Sequence, residues 1–314
     1  MAKRPRSLAG KVVAITGGGR GIGRATAAAL VAEGARVALG DIDVAVVART
    51  AEELGAGTIG LPLDVTDHDS FEAFLAETEQ RLGPLDALIN NAGIMPIGPF
   101  PEERDETTEQ VLAVNVGGVL TGSKLALRRF LPRGSGHLVN IASSAGKTGL
   151  AGGVTYCASK HAVVGLSEAI REEVKGTSID VSIVMPIPVN TDLGAGLHRL
   201  RGFPAVEPED VAGAIVAALQ FGRVDVYVPR TIGLLLRAQS VIPRRLADLI
   251  SVLLGGDKVL ASPDRAARAA YEARIEAVPR SPSTLDGGRP ADSVPADAVV
   301  AQDDQPPAEA AGAA

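Results

Sequence analysis

The fold of this chain is decided by residues 12–23, which read Val12-Val13-Ala14-Ile15-Thr16-Gly17-Gly18-Gly19-Arg20-Gly21-Ile22-Gly23. The run opens with four apolar, mostly β-branched residues, which are typical of a short buried strand. Its glycines allow the backbone to turn tightly, and the alanine-rich stretch from Arg24 to Glu33 predicts a helix. Strand, glycine turn and helix in this order indicate a dinucleotide-binding site, because the N–H groups at the helix start attract a pyrophosphate. A simple tight turn is the alternative.

A tyrosine and a lysine four residues apart form the second informative feature, in the run Tyr156-Cys157-Ala158-Ser159-Lys160. On a helix this spacing places both side chains on one face. A phenol ionises near pH 10, and a neighbouring cation lowers its pKa, at about 1.36 kcal/mol for each unit. Such a pair can act as an acid–base catalyst without histidine. The same spacing also occurs by chance on helix surfaces, so its weight comes from the glycine run upstream.

Together these motifs resemble the short-chain dehydrogenase/reductase family, and further landmarks follow in the family's order. The glycine run fits the family's T-G-x-x-x-G-x-G pattern. Asp64-Val65 ends the third predicted strand, where the family holds the adenine ring, and Asn90-Asn91-Ala92-Gly93 closes the fourth. Asn115 stands where the family keeps an active-site asparagine. Ser143 precedes Tyr156 by thirteen residues, which is the family's serine–tyrosine spacing.

The resemblance implies a role for each of four catalytic residues. Tyr156 would give or take the proton of a hydroxyl or carbonyl oxygen, and Lys160 would lower the pKa of the phenol and hold the nicotinamide ribose. Ser143 would orient the substrate oxygen. Asn115 would hold a water that links Lys160 to solvent, unless it is only a helix-interior polar residue bonded to the backbone. The implied cofactor-binding residues are Thr16, Gly17, Gly19, Arg20, Gly21, Ile22, Gly23, Asp41, Asp64, Val65, Asn91, Ala92, Gly93, Tyr156, Lys160, Pro186 and Thr191.

The residue that ends the second predicted strand bears on the choice of cofactor. Asp41 follows this strand, and a carboxylate there accepts hydrogen bonds from the adenosine ribose and repels a 2′-phosphate. Arg20 stands where a basic residue can favour NADP(H) in the family, although NAD-dependent members also carry it. We let Asp41 decide, so that NAD(H) is the expected cofactor and NADP(H) the alternative.

The chain departs from the family after the sixth predicted strand. The family carries Pro-Gly-x-x-x-Thr there, whereas this chain reads Pro186-Ile187-Pro188-Val189-Asn190-Thr191. Ile187 cannot adopt a positive φ without strain, and the proline after it favours an extended conformation. We therefore expect the loop beside the nicotinamide to follow a different path, while Thr191 keeps its place in the cofactor site.

Length and composition agree with one large α/β core. The chain has 314 residues, of which 46% are hydrophobic. Alternating strands and helices predict a Rossmann-type doubly wound parallel sheet of seven strands, in the order 3-2-1-4-5-6-7. Strands are expected at 12–16, 36–40, 58–63, 85–90, 136–142, 179–185 and 224–228, and helices at 21–33, 43–54, 67–82, 105–131, 155–175 and 208–221.

Cysteine, histidine and charge counts narrow the function classes. One cysteine excludes an internal disulfide and fits a reducing cytoplasm. The four histidines are scattered without ligand spacing, so no catalytic metal is expected. The net charge is −6 and no basic run indicates nucleic acid. No secretory leader pattern opens the chain, so a cytoplasmic location is expected.

Composition divides the chain into four parts. Residues 1–7 form a basic arm that we expect to be flexible, and residues 8–229 form the catalytic domain. Residues 230–278 predict an amphipathic helical extension, which would cover the active site, pack on a partner subunit, contact a membrane surface or face solvent. Residues 279–314 are acidic, rich in proline and alanine, and almost without large apolar side chains, so they are expected to be disordered.

A loop at residues 192–205 lies where the family places its substrate-covering lid. It carries Leu193, Leu197, Leu200 and Phe203 among glycines. Apolar lid residues suit a hydrophobic substrate, and a flexible surface loop is the alternative.

The expected function is that of an NAD(P)-dependent oxidoreductase interconverting an alcohol and a ketone or aldehyde. Hydride transfer with Tyr156 as acid/base would act on an apolar, lipid-, steroid- or retinoid-like substrate. One alternative is a non-catalytic dinucleotide-binding sensor or scaffold with the same fold. Another is epimerase or dehydratase chemistry on a nucleotide sugar. The resemblance also implies a homodimer or homotetramer.

Overall fold

Seven parallel β-strands form one sheet in the computed structural model, which describes residues 4–239 and 242–276. The strands are β1 (Val12–Thr16), β2 (Arg36–Asp41), β3 (Ile59–Pro62), β4 (Ala87–Asn90), β5 (Ser135–Ile141), β6 (Ser178–Pro186) and β7 (Asp225–Val228). They are ordered β3-β2-β1-β4-β5-β6-β7, and every neighbouring pair is parallel. The predicted Rossmann-type doubly wound α/β fold is therefore confirmed.

Helices flank the sheet. They are α1 (Gly21–Ala32), α2 (Val44–Leu54), α3 (His68–Leu82), α4 (Asp105–Leu112), α5 (Gly118–Arg133), α6 (Val154–Glu173), α7 (Pro208–Phe221), α8 (Arg230–Gln239), α9 (Arg244–Leu253) and α10 (Arg265–Glu276). The helix expected at 105–131 is present as one helical stretch, Asp105–Arg133, in which a π-helical turn at Ala113–Gly117 lies between α4 and α5. The remaining predicted strands and helices agree with the structure within two residues at each end.

The strand β1 shows why this sequence makes a sheet covered on both faces. All five of its residues are buried. Because successive strand side chains point to opposite faces, Val13 and Ile15 join one apolar cluster, and Val12 and Ala14 join another. A near-continuous apolar run is typical of a parallel strand with helices on both sides. Because the strands are parallel, the carboxyl ends of the central strands lie at one edge of the sheet.

The first and last parts of the chain are described only in part. The basic arm is visible from Arg4, and its Arg6 pairs with Asp180 and donates its N–H to the Gln220 carbonyl at 2.9 Å. The expected disordered tail, residues 279–314, lies outside the described residues. The division of the chain into four parts stays a prediction.

The extension consists of three helices with different surroundings. In α8, Ile232 is buried in the core beside β7. In α9, a row of apolar side chains is exposed, comprising Leu246, Leu249, Val252 and Leu253. In α10, Arg268 and Tyr271 are buried. Among the described residues, only the helical stretch Asp105–Arg133 is long and apolar enough to cross a membrane, and much of it is buried as in a core helix.

Candidate active site

A cleft of about 980 Å³ opens at the carboxyl ends of the central strands. Residues that follow β1, β2, β4, β5 and β6 line it, and so do residues of α6 and α10. It spans the point between β1 and β4 where the strand order reverses. Open α/β sheets bind their ligands at this switch point, so the cleft is the candidate active site.

The glycine turn after β1 packs too closely for side chains. A Cβ on Gly23 would lie 2.2 Å from the carbonyl oxygen of Gly17, and one on Gly17 would lie 2.9 Å from Ala92 Cα. Gly17 also has a φ of +64°, which favours glycine. Asn91 fixes the turn from the neighbouring strand, since its Nδ2 donates to the carbonyls of Thr16 and Gly17 at 2.9 Å each. The backbone of this turn is therefore exposed to close approach by a ligand.

The start of α1 has the properties of an anion site. Its cap residue Arg20 makes no side-chain hydrogen bond to the first turn. The free N–H groups of a helix start, together with the helix dipole, favour a phosphate. Thr191 borders the same place, with its Cγ2 3.2 Å from where a Cβ on Gly21 would stand. The glycine turn and the uncapped helix fit the pyrophosphate of a dinucleotide.

Asp41 faces the cleft from the end of β2. Its Oδ2 accepts a hydrogen bond from Gly19 N–H at 2.9 Å, and its Oδ1 accepts one from Asp43 N–H at 3.1 Å. Arg20 turns to the next carboxylate, pairing with Asp43 at 2.8 Å. This guanidinium holds the pKa of Asp43 below its usual value by hydrogen bonding. Two carboxylates, Asp41 and Asp43, therefore line this part of the cleft, and Arg20 pairs with the second of them.

Tyr156 and Lys160 project from α6 into the same cleft, and both are buried. The side chain of Ser143, which follows β5, lines the same cleft and lies close enough to the phenol to lower its pKa. Lys160 Nζ donates to the Ile141 carbonyl at 2.9 Å and lies 5.8 Å from the centroid of the Tyr156 ring. The fold thus brings Ser143, which follows β5, into the same cleft as Tyr156 and Lys160 of α6.

In this structure the pKa of Tyr156 lies above its usual value, and the expected role of Lys160 in lowering it stays a prediction. Burial raises the pKa of Tyr156 to about 12, and the nearby Ser143 side chain only partly opposes this. Burial also lowers the pKa of Lys160 to about 8, because the charged ammonium is withdrawn from water. For both groups, desolvation is the largest cause of the pKa shift.

Asn115 lies behind the cleft rather than on its wall. In the π-helical turn, its Oδ1 accepts from Ile94 N–H and its Nδ2 donates to the Ile94 carbonyl, at 2.9 Å each. The same Nδ2 donates to Ser159 Oγ at 3.1 Å. A Cβ on Gly93 would lie 3.2 Å from Asn115 Oδ1 and 3.6 Å from Lys160 Nζ. Asn115 thus connects the loop after β4 to α6. Its bonds to the Ile94 backbone are those expected for the alternative, in which Asn115 is a helix-interior polar residue bonded to the backbone.

The loop after β6 takes the extended path expected from its sequence. Ile187 donates its N–H to the Val228 carbonyl at 3.0 Å, and its φ angle is not positive. Val189 pairs with Val206 in a parallel bridge, which prolongs the extended course. Thr191 still lines the cleft, and its Oγ1 accepts from Gly194 N–H at 3.2 Å.

Most of the predicted site residues line the cleft, and three lie one layer behind it. These three are Thr16, Gly23 and Asn115. Thr16 Oγ1 accepts the N–H groups of Asn91 and Ala92 at 3.0 Å each, so it positions the N-N-A-G segment. Asp64 and Val65 line the cleft beyond β3 as predicted.

Comparison with known proteins agrees with this geometry. The family model for short chain dehydrogenases matches residues 11–200, which is more than half of the chain. The chain belongs to the short-chain dehydrogenase/reductase family. The matched range begins just before β1 and includes the glycine turn, Ser143, Tyr156 and Lys160.

Relatives within the family cover most of the described residues. The chain is 37% identical over 230 residues to 2-(S)-hydroxypropyl-CoM dehydrogenase 3 of Xanthobacter autotrophicus, covering 68% of this chain and 90% of that protein. It is 38% identical over 241 residues to the probable oxidoreductase EphD of Mycobacterium tuberculosis, covering 69% of this chain. The chain spans 41% of the length of EphD. A short-chain dehydrogenase/reductase from Burkholderia phymatum, solved in complex with NAD, superposes with a TM-score of 0.70 at 26% identity, covering 81% of this chain and 98% of that one.

The sequence motifs of this short-chain dehydrogenase did not predict that α10 lines the cleft. Tyr271, Arg274 and Ile275 line the cleft, although they follow the catalytic core by many residues. Arg268 and Tyr271 are three residues apart, a spacing that predicts one shared helix face. That spacing carries no information about which part of the fold the face would meet.

Proposed function

We propose that this chain is an NAD(H)-dependent oxidoreductase that interconverts an apolar alcohol and the corresponding ketone or aldehyde. One observation carries the proposal: the buried phenol of Tyr156 shares an apolar cleft with the side chain of Ser143 and lies beside Lys160, whose Nζ is 5.8 Å from its ring centroid. A module that only binds a dinucleotide has no need of a phenol and a hydroxyl paired at this place.

The cofactor would occupy the cleft along residues already described. The glycine turn and the start of α1 would hold the pyrophosphate, Asp41 the adenosine ribose and Lys160 the nicotinamide ribose. The bound nicotinamide supplies or accepts the hydride. The Asp41 carboxylate, together with the pairing of Arg20 and Asp43, supports NAD(H) over NADP(H), because a 2′-phosphate would meet negative charge.

Tyr156 would move the proton. In reduction, its phenol donates a proton to the carbonyl oxygen, while the Ser143 hydroxyl hydrogen-bonds to that oxygen and orients it. In oxidation, the phenol oxygen receives the proton of the alcohol. A pKa of about 12 keeps the phenol protonated at neutral pH, so the group starts as a proton donor.

The wall around the phenol supports an apolar substrate. It includes Met95, Leu150, Leu193, Leu197 and Leu260. Leu193 and Leu197 come from the predicted lid, so this part of the lid is packed over the cleft. Such a wall excludes water from the reacting atoms and leaves few polar groups to recognise a charged substrate.

Resemblance to the family supports a homodimer or homotetramer, and the single cysteine supports a reducing, cytoplasmic location. The exposed apolar row of α9 supports contact with a further surface, either a second subunit or a membrane. Light scattering of the purified chain would give its mass in solution. A monomer that floats with liposomes would favour the membrane alternative.

A spectrophotometric screen tests the proposed chemistry and cofactor together. Secondary and primary apolar alcohols are offered with NAD or NADP, and the matching carbonyl compounds with NADH or NADPH, while absorbance of the reduced nicotinamide is followed. We expect turnover with at least one apolar pair and a higher kcat/KM with NAD(H). Tight NADH binding without any turnover would instead favour the sensor alternative. The raised pKa of Tyr156 is compatible with that alternative.

A further inference from the structure

The helix α10, the last one among the described residues, supplies a second phenol to the cleft. This phenol, Tyr271, lies at the part of the cleft that holds Tyr156, which is called the substrate end. Tyr271 is 7% exposed, and its hydroxyl accepts a hydrogen bond from Met95 N–H at 2.8 Å. It lies close enough to Tyr156 for the two phenols to interact electrostatically, and both line the cleft. Burial raises the pKa of Tyr271 well above its usual value, so this phenol remains neutral.

A fully buried arginine one turn earlier holds α10 in place. Arg268 is 0% exposed, and its Nη2 donates to the Met95 carbonyl at 2.8 Å. Its Nη1 donates to the carbonyls of Leu193 and Ala195 at 3.0 Å each. Met95 belongs to the loop after β4, whereas Leu193 and Ala195 belong to the lid. One guanidinium therefore fastens both walls of the substrate end to the same helix.

Burying the charged guanidinium of Arg268 costs free energy unless its N–H groups find hydrogen-bond acceptors. A buried cation loses several kcal/mol of hydration, which hydrogen bonds and opposite charge must replace. Arg268 obtains them from three main-chain carbonyls and from Glu272, whose Oε1 lies 3.3 Å from its Nε. Its guanidinium also lies 5.1 Å from the Tyr271 ring. The two side chains form one unit, in which the arginine fixes the ring.

We propose that Tyr271 is a specificity-determining residue, whose ring limits the bulk of the substrate, and that Arg268 is a positioning residue, which holds Tyr271 and the lid in place. The inference rests on the proposed function and names its substrate class more narrowly. The preferred substrates are compact apolar alcohols and carbonyl compounds, and bulkier ones are excluded by the ring rather than by the catalytic residues.

Changes at Tyr271 test the limit on substrate bulk. The full chain and its Tyr271→Ala and Tyr271→Phe variants are assayed on a series of secondary alcohols with increasingly branched side chains. We expect Tyr271→Ala to shift the kcat/KM ratio of bulky to small alcohols about tenfold towards the bulky ones. Tyr271→Phe keeps the ring and should keep the wild-type ratio. NADH binding, read from nicotinamide fluorescence, should stay within about twofold in both variants.

Changes at Arg268 test the positioning role by a second readout. The lid carries Arg199 and Arg201, which are sites for trypsin. We expect Arg268→Met to accelerate cleavage there about tenfold and to raise KM more than it lowers kcat, because the lid opens more often. Arg268→Lys should restore part of the protection. Arg265→Met, on the exposed side of α10, is the matched control and should behave like wild type.

The possible outcomes separate this inference from the proposed function. Wild-type turnover with an unchanged size preference in Tyr271→Ala overturns the specificity role alone. Wild-type protection and KM in a folded Arg268→Met variant overturn the positioning role. If Arg268→Met does not fold, the trypsin protection and KM of Arg268→Lys decide the positioning role. No turnover by the wild type with any alcohol or carbonyl compound overturns the proposed function and this inference with it.

Discussion

At the scale of single residues, burial governs the two side chains at the centre of the cleft. Tyr156 and Lys160 are both withdrawn from water, so each is shifted towards its neutral form. The residue types and their spacing were predictable from sequence. The extent of desolvation was not, because it depends on how much water the folded chain removes from each group.

Replacing Tyr156 with phenylalanine tests its role in proton transfer. The change removes the hydroxyl but keeps the ring, so packing in the cleft is conserved. We expect kcat to fall by about two to four orders of magnitude, which is the usual contribution of a general acid–base group. The Kd for NADH, measured by fluorescence, should stay near the wild-type value. Turnover close to wild type would contradict the assignment.

Asp41 provides a test of cofactor preference at one atom. In Asp41→Asn, the side chain keeps an oxygen for Gly19 N–H but loses its negative charge. We expect the kcat/KM ratio of NADP(H) to NAD(H) to rise about tenfold or more, because repulsion of the 2′-phosphate is reduced. Asp257→Asn, at an exposed site outside the cleft, is the control. An unchanged ratio in Asp41→Asn would show that another group selects the cofactor.

At the scale of elements, the glycine turn and the π-helical turn show two levels of predictability. The turn after β1 followed from its glycines, because few other residues tolerate its close backbone contacts. The π-helical turn between α4 and α5 did not follow from residues 105–131, whose pattern predicts only a helix. Asn115 is satisfied there by Ile94 and Ser159, and these partners come from distant parts of the chain.

An alanine at Gly23 tests the close packing of the glycine turn. Its Cβ would lie 2.2 Å from the Gly17 carbonyl oxygen, so the turn must shift and the anion site with it. We expect Gly23→Ala to weaken NADH binding by about tenfold or more and to lower the midpoint of thermal unfolding.

Gly165→Ala on α6 is the matched control for this change. A Cβ at Gly165 meets nothing within 4 Å. This variant should bind NADH like wild type and gain up to about 1 kcal/mol of stability from helix propensity. Equal NADH binding by Gly23→Ala and Gly165→Ala would contradict the proposed role of the turn.

At the scale of the whole molecule, a buried histidine links stability to pH. His137 lies in β5, and its Nε2 is 2.8 Å from Ser182 Oγ. Ser182 in turn donates to the Arg223 carbonyl, so Nε2 carries the proton that His137 donates. Burial lowers the pKa of His137 to about 4, against 6.5 for an exposed histidine. The ring is therefore neutral in the fold.

The sign of the pH dependence follows from this lowered pKa. Above about pH 6.5, the imidazole is neutral in both states and contributes nothing to the pH dependence. As the pH falls towards about 4, the unfolded chain takes up a proton that the folded chain resists, so up to about 3 kcal/mol of stability is lost. We expect His137→Gln to show a smaller loss between neutral pH and pH 4.5 in urea unfolding. His68→Gln, at an exposed site, should match wild type, and a wild-type slope in His137→Gln would contradict the account.

The sequence by itself determined the sheet, its strand order and the residue types of the catalytic set. Each of these depends on local patterns: apolar runs, glycine spacing and the four-residue separation of Tyr156 and Lys160. Only the tertiary structure decided which side chains form the substrate wall. Tyr271 reaches the cleft from α10, and Arg268 holds that helix to Met95 and Leu193, which are about 75 to 175 residues away in the chain. Contacts between segments so distant leave no local pattern, so packing alone brings them together.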